Sequence, residues 1–156
     1  MPSAPPDRIV GPLKATDLAY NQALGIRSAP AGATHLLELP FTPLVLNHLG
    51  IMHAAAQFSL AEAASAECLQ RHYGAAVDGV FGVVRGVEVK YRRPATGELL
   101  AFGTPDDHTR DHLLAELAGR GRTGAVILID LKDRAGTLTS HGKFEWFISR
   151  VPPSPP

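Results

Sequence analysis

A run of alanine in the middle of the chain limits most severely what it can fold into. Seven of the thirteen residues from Ala54 to Ala66 are alanine, and neither Pro nor Gly occurs between Ile51 and Tyr73. Alanine has the highest intrinsic helix propensity. The stretch therefore reads as one long helix, entered through the polar turn Asn47-His48-Leu49-Gly50. Alanine also keeps a helix slim, so neighbours approach its backbone closely. A slim, largely apolar rod suits the centre of a fold, with a sheet wrapped around it.

Helix geometry then says where chemistry can occur. The first turn, at His53 and Ala54, exposes backbone N–H groups that have no partner inside the helix. With the positive end of the macrodipole they form a place that favours negative charge. Glu62 lies further along the same helix, about 12 Å beyond Ala54 at 1.5 Å per residue. One reacting carbonyl cannot touch both on a single helix. If the two cooperate, they come from two copies of the chain.

The rest of the chain supplies strands. His35 to Leu39 reads as a first strand, stopped by Pro40 and Pro43. Val80 to Arg93 follows the helix and alternates at its end, with Val87, Val89 and Tyr91 on one side and Glu88, Lys90 and Arg92 on the other. Gly82 and Gly86 mark a bend or bulge in it. A strand over Glu98 to Gly103 leads to a helix over Asp107 to Ala118, with Leu113, Leu114 and Leu117 as its apolar face and Gly119 as its stop. Gly124 to Lys132 and Thr137 to Arg150 read as a hairpin whose aromatic stripe, Phe144, Trp146 and Ile148, is core. Near the start, Thr16 caps a short helix through Leu24, closed by Gly25. Strands grouped after a helix predict an α+β class, with one domain over residues 13–150. Residues 1–12 and 151–156 hold eight of the thirteen prolines and read as flexible tails.

Composition removes several function classes. Lys plus Arg balances Asp plus Glu at fifteen each, so no strong field favours nucleic acid or a membrane surface. The single cysteine, Cys68, excludes a disulfide framework within the chain and reads as a small core residue. The start lacks the pattern of a signal peptide and no apolar run reaches spanning length, so a cytoplasmic protein is expected. His48, His53 and Glu62 lack the i, i+4 pairing of a helical metal site, and no metal is expected.

The pattern Asn47-His48-x-Gly50-x-x-His53, followed by small residues and by Leu60-Ala61-Glu62, resembles the hotdog-fold thioesterases. The resemblance runs from about Thr34 to Ser149 and includes Val89 to Ala95 with Gly97-Glu98-Leu99 as a strand-turn-strand after the central helix. It is nearest to the branch of the phenylacetate-pathway and 4-hydroxybenzoyl-CoA thioesterases. There an amide residue precedes His-Gly-Gly, and an acidic residue stands nine positions after the His. Here Ala54-Ala55 replace the Gly-Gly pair.

The resemblance implies a hotdog fold, a curved antiparallel sheet around the long helix, and a homodimer, with a dimer of dimers as a further family expectation. It implies an acyl-CoA or acyl-carrier-protein thioester as substrate, and coenzyme A enters only as part of that substrate. Glu62 takes the role of nucleophile or general base, and the Ala54 N–H that of oxyanion donor from the other subunit. Asn47 takes the amide position that orients carbonyl or water, against a plain capping or turn role. His53 belongs to the same motif, against a bond to nearby backbone. Lys90, Arg92 and Arg93 suit the phosphates of coenzyme A, against a solvated strand edge. Two other readings stand beside thioester hydrolysis: a non-catalytic acyl-thioester-binding module, which the Ala-Ala pair favours, and a hotdog hydratase or dehydratase.

Overall fold

The computed structural model describes residues 14–77 and 79–150. The two proline-rich ends, read from sequence as tails, lie outside the described residues. The Ala-rich stretch forms one helix, α2 (Ala54–Tyr73). Around it stand six strands, β1 (Arg27–Ser28), β2 (Leu37–Leu39), β3 (Phe81–Tyr91), β4 (Leu99–Pro105), β5 (Arg122–Lys132) and β6 (Leu138–Ser149). They form a single sheet in the order β1-β2-β4-β5-β6-β3, and every neighbouring pair is antiparallel. This is the helix-in-sheet arrangement that the hotdog resemblance implies.

Alternation explains which sheet face meets the helix. In β5, Thr123, Ala125, Ile127, Ile129 and Leu131 are buried while the residues between them are not. Phe144 and Ile148 of β6 stand opposite Ile127 and Thr123 and are equally buried, with Trp146 half-buried between them. Leu60, Ala64 and Cys68 of α2 complete this core. Fully burying a side chain such as Phe144 or Leu60 stabilises the fold by about 1.5–3 kcal/mol. Burial also pushes the Cys68 thiol up to about 12, which suits an inert core residue.

Gly142 shows how tightly the sheet closes on this core. The Phe144 ring lies over it, and a Cβ at position 142 would stand 2.6 Å from the ring's Cε2. The same ring meets Phe58 of α2 at a centroid distance of 5.9 Å.

Several elements differ from their sequence reading. The expected helix from Thr16 to Leu24 is broken into a 3-10 turn, Ala15–Asp17, and α1 (Ala19–Leu24), with Leu18 extended between them. The buried Asn21 side chain ties the two pieces together by donating to the Ala15 carbonyl at 2.8 Å, and Thr16 caps nothing. The strand expected from His35 begins at Leu37, and the His35 ring meets the Glu38 carboxylate at 2.8 Å. The last helix, α3 (Asp107–Arg120), passes through Gly119 and ends at Gly121, whose φ of 67° permits the left-handed cap. Leu114 points to solvent, since one residue's step of 100° carries it off the face that buries Leu113 and Leu117.

The expected irregularity in β3 is present. The register to β6 shifts between Val84 and Gly86, leaving Arg85 as the extra residue of a bulge. Its guanidinium covers the Phe147 ring at 3.9 Å. β3 is the outermost strand of the sheet, so one side of this eleven-residue strand has no strand neighbour among the described residues.

Candidate active site at the start of the central helix

The entry to α2 is pinned before the helix begins. Asn47 donates its N–H to the Ile51 carbonyl at 2.8 Å. Its side-chain Oδ1 accepts from the N–H groups of Leu49 at 2.9 Å and Ile51 at 3.4 Å. This is the turn-forming role that Asn fills readily. The Met52 N–H reaches the Ala95 carbonyl at 2.9 Å and the His53 N–H reaches Val45 at 2.7 Å. The helix start is thereby tied to the segment after β3 and to the 3-10 turn Pro43–Val45.

A helix begins with four N–H groups that find no acceptor within it. Here His53 is the N-cap, and its own N–H is taken by Val45. Its ring Nδ1 accepts from the Ala55 N–H at 2.9 Å, and its carbonyl accepts from Ala56 at 3.0 Å. Among the described residues, the Ala54 N–H alone of these four has no acceptor. Ala54 lines an open cleft of about 310 Å³, together with Asn47, Gln57, Tyr91, Arg92 and Arg93, among others.

The cleft joins two distant parts of the chain. Arg92 and Arg93 follow β3 directly, and both of their N–H groups donate to the Thr139 carbonyl, at 2.7 and 3.2 Å. Neither guanidinium has an ion-pair partner among the described residues. The Tyr91 hydroxyl donates to the Ala54 carbonyl at 3.0 Å and holds the strand end against the first helical turn. Gln57 donates its side-chain amide to the Met52 carbonyl at 3.3 Å.

Asn47, Ala54, Arg92 and Arg93 are thus brought together, and three other sequence candidates are not. His53 spends its ring nitrogen on capping. Lys90 alternates to the opposite face of β3 and pairs with Glu88 at 2.9 Å. Glu62 stands two turns further up α2, outside the cleft. Its carboxyl group is half-buried and has no partner among the described residues, so burial pushes its pKa above the usual carboxylate range. The turn that carries it is anchored from the sheet: the Trp146 indole donates to Ser65 Oγ at 3.0 Å, and that hydroxyl donates to the Glu62 carbonyl at 2.7 Å.

Sequence reasoning missed Tyr91 and Gln57 as cleft residues. The available signal for Gln57 was its place one turn after Ala54, as the first polar residue after three alanines. Tyr91 gave no such signal, because its partner lies 37 positions away. Among the described residues no group of His, Cys, Asp and Glu is arranged to hold a metal ion. No helix among them is long and apolar enough to cross a membrane.

A family model described as a domain of unknown function, DUF4442, matches residues 27–148. No curated protein matches the chain. Among solved structures it is similar to a Pseudomonas aeruginosa protein of unknown function described as a probable thioesterase, with 23% identity over 86% of this chain and 90% of the other and a TM-score of 0.72. It is similar to a thioesterase from Haemophilus influenzae at 17% identity, covering 90% of both chains, with a TM-score of 0.66. A Bacillus halodurans protein crystallised with CoA matches at 21% identity over 83% of this chain and 74% of that one, with a TM-score of 0.64. At such identities the likeness concerns the fold alone, which is the hotdog fold.

Proposed function

The chain belongs to the DUF4442 family, and we propose that it hydrolyses an acyl-CoA or acyl-carrier-protein thioester at a site shared by two copies. The observation that carries this reading is the Ala54 N–H, the one first-turn donor without an acceptor among the described residues, on a residue that lines the cleft. A donor so placed suits the oxygen of a thioester carbonyl as it becomes an oxyanion. Arg92 and Arg93 at the same cleft suit the phosphates of a coenzyme A or a phosphopantetheine arm. The solved structure with CoA from Bacillus halodurans supports the choice of ligand class.

Glu62 of the second copy supplies the base or nucleophile. As base, it takes a proton from water while the water oxygen bonds to the carbonyl carbon. The carbon–sulfur bond then breaks, and the thiolate leaves and is protonated. As nucleophile, its carboxylate bonds to that carbon directly, the thiolate leaves, and water cleaves the resulting anhydride. Its pKa, raised by burial, makes it a stronger base than a solvated carboxylate. The long β3 edge is where a second copy would extend the sheet, because its backbone groups are open to pairing. Phe58, which is exposed, and the half-buried Glu62 lie at i, i+4 on one stripe of α2, which suits burial against that partner.

A second reading, binding without catalysis, is favoured by one observation: both acceptor contacts of the Asn47 side chain are to its own turn. Thiol release from short, medium, long-chain and aromatic acyl-CoAs tests the two readings, with wild type compared against Glu62→Ala. Activity that collapses in a still-dimeric Glu62→Ala protein is the expected result, and the panel identifies the acyl class. No release from any coenzyme A or carrier-protein thioester would leave the binding module. Equal rates in both proteins would remove Glu62 from the mechanism.

A further inference from the structure

Gln57 is the most deeply buried polar side chain of the cleft, at 5% exposure. Its amide nitrogen donates to the Met52 carbonyl at 3.3 Å, but its Oε1 has no hydrogen-bond partner among the described residues. Turning the amide over does not relieve this, since it would set oxygen against the Met52 carbonyl oxygen. The oxygen is therefore held as an acceptor in a place water barely reaches. A buried acceptor left without a donor is costly, and it marks a place where a donor arrives from elsewhere.

We propose that Gln57 Oε1 is a specificity-determining acceptor for an N–H or O–H of the ligand close to the thioester. This rests on the proposed function for the location of the thioester, at the Ala54 N–H. Gln57 is three residues after Ala54 and so lies on the same helical face. Its side chain folds back to Met52, two residues before Ala54. The acceptor thus sits beside Met52, whose Cα is two steps, or at most about 8 Å, from that of Ala54. A donor only a few bonds from the thioester carbonyl reaches it. Two sources carry one there: the amide N–H three bonds beyond the thioester sulfur, and a hydroxyl on the third acyl carbon. A bare alkyl group at the same place leaves the acceptor unpaired and is selected against.

The test uses matched pairs of thioesters on the full chain. In one pair, S-acyl N-acetylcysteamine is compared with the isosteric thioester in which the amide NH is an ester oxygen. In the other, a 3-hydroxyacyl group is compared with the plain acyl group on the same thiol. Both pairs are run with wild type and with Gln57→Met, whose folding is checked by circular dichroism and sedimentation. The corresponding thioethers, which cannot be hydrolysed, are titrated by calorimetry. The expected result is a preference of roughly tenfold or more for the donor-bearing member of one pair in wild type, erased in Gln57→Met; that pair identifies the source. Discrimination among thioethers without hydrolysis of any thioester would support Gln57 while overturning the hydrolase. Hydrolysis with no preference in either pair would overturn the role of Gln57 and leave the hydrolase standing. The same holds for a preference that survives in folded Gln57→Met. The wild-type comparison alone decides the matter if the variant does not fold.

Discussion

Proline at position 54 would remove the one first-turn N–H that lacks an acceptor among the described residues and still let the helix start. The first helical position is where proline is favoured, since its missing N–H has no helical partner there. His53, with ψ at 139°, already has the extended backbone that a residue before proline requires. We expect Ala54→Pro to melt near wild type while kcat/KM falls about 10²- to 10³-fold, the usual loss of one oxyanion donor. Full activity in the folded variant would remove the Ala54 N–H from the chemistry. Glu62 gives the second residue-scale expectation. Burial raises its pKa, so the folded state holds the proton at a pH where the unfolded chain has released it. The stability this contributes is complete below the ordinary Glu value and is lost as pH rises through the raised one. Glu62→Gln, which stays neutral, should therefore melt higher than wild type at pH 7, and the gap should close near about pH 4. Thermal melts of both proteins across that range check the sign. In the wild type, the acid limb of kcat/KM should lie above the ordinary carboxylate range, because the reaction needs the ionised form.

At the scale of elements, the fit of β6 to α2 turns on a missing methyl group. A Cβ on Gly142 would meet the Phe144 ring at 2.6 Å, and that ring is fully buried against Phe58. Gly142→Ala should cost about 1–3 kcal/mol, the range for overpacking a dense core, measured by urea unfolding. A value near zero would mean that the ring has room to move. The same interface explains how Glu62 is positioned: Trp146 of β6 reaches through Ser65 to the Glu62 carbonyl, so strand and helix turn move together. From sequence, Trp146 is legible only as part of a core stripe. Its alternation with Phe144 and Ile148 fixes the face, but the indole's partner lies 81 positions away.

At the scale of the whole molecule, one chain holds the parts of the proposed site too far apart to act together. The Ala54 cleft and Glu62 sit on different turns of one helix, so the proposed site is complete only if a second copy supplies one of them. Two inactive variants should then rescue each other. Mixing Glu62→Ala with Ala54→Pro protomers after dissociation and reassociation gives mixed dimers in which one of the two sites is intact. A random mixture should regain about a quarter of wild-type activity, half the dimers being mixed and each having one working site of two. No recovery in mixtures proven to contain mixed dimers would mean that the two groups do not serve a shared site.

Local rules made much of this molecule legible before its structure. Helix propensity located α2 from its alanines, and the stripe of Phe144, Trp146 and Ile148 identified the core-facing side of β6, whereas Val87 and Tyr91 of β3 stay exposed. Both depend only on residues a few positions apart, and both survive in the folded protein. The same locality explains the misses. Gly119 has the composition of a helix stop, yet the helix continues until Gly121, where the chain turns and the left-handed conformation is needed. Thr16 has the composition of a cap, yet the Asn21 side chain organises that segment instead. For the site, the sequence singled out Ala54 and Glu62 as candidates and determined how far apart helix geometry holds them. Only the tertiary structure decided which donors remain free. That the Ala54 N–H has no acceptor, that Gln57 Oε1 is buried without a donor, and that Arg92 and Arg93 stand beside both depends on contacts between segments. No local rule counts those contacts, because each polar group is satisfied or left open by whatever the rest of the fold brings within hydrogen-bonding distance.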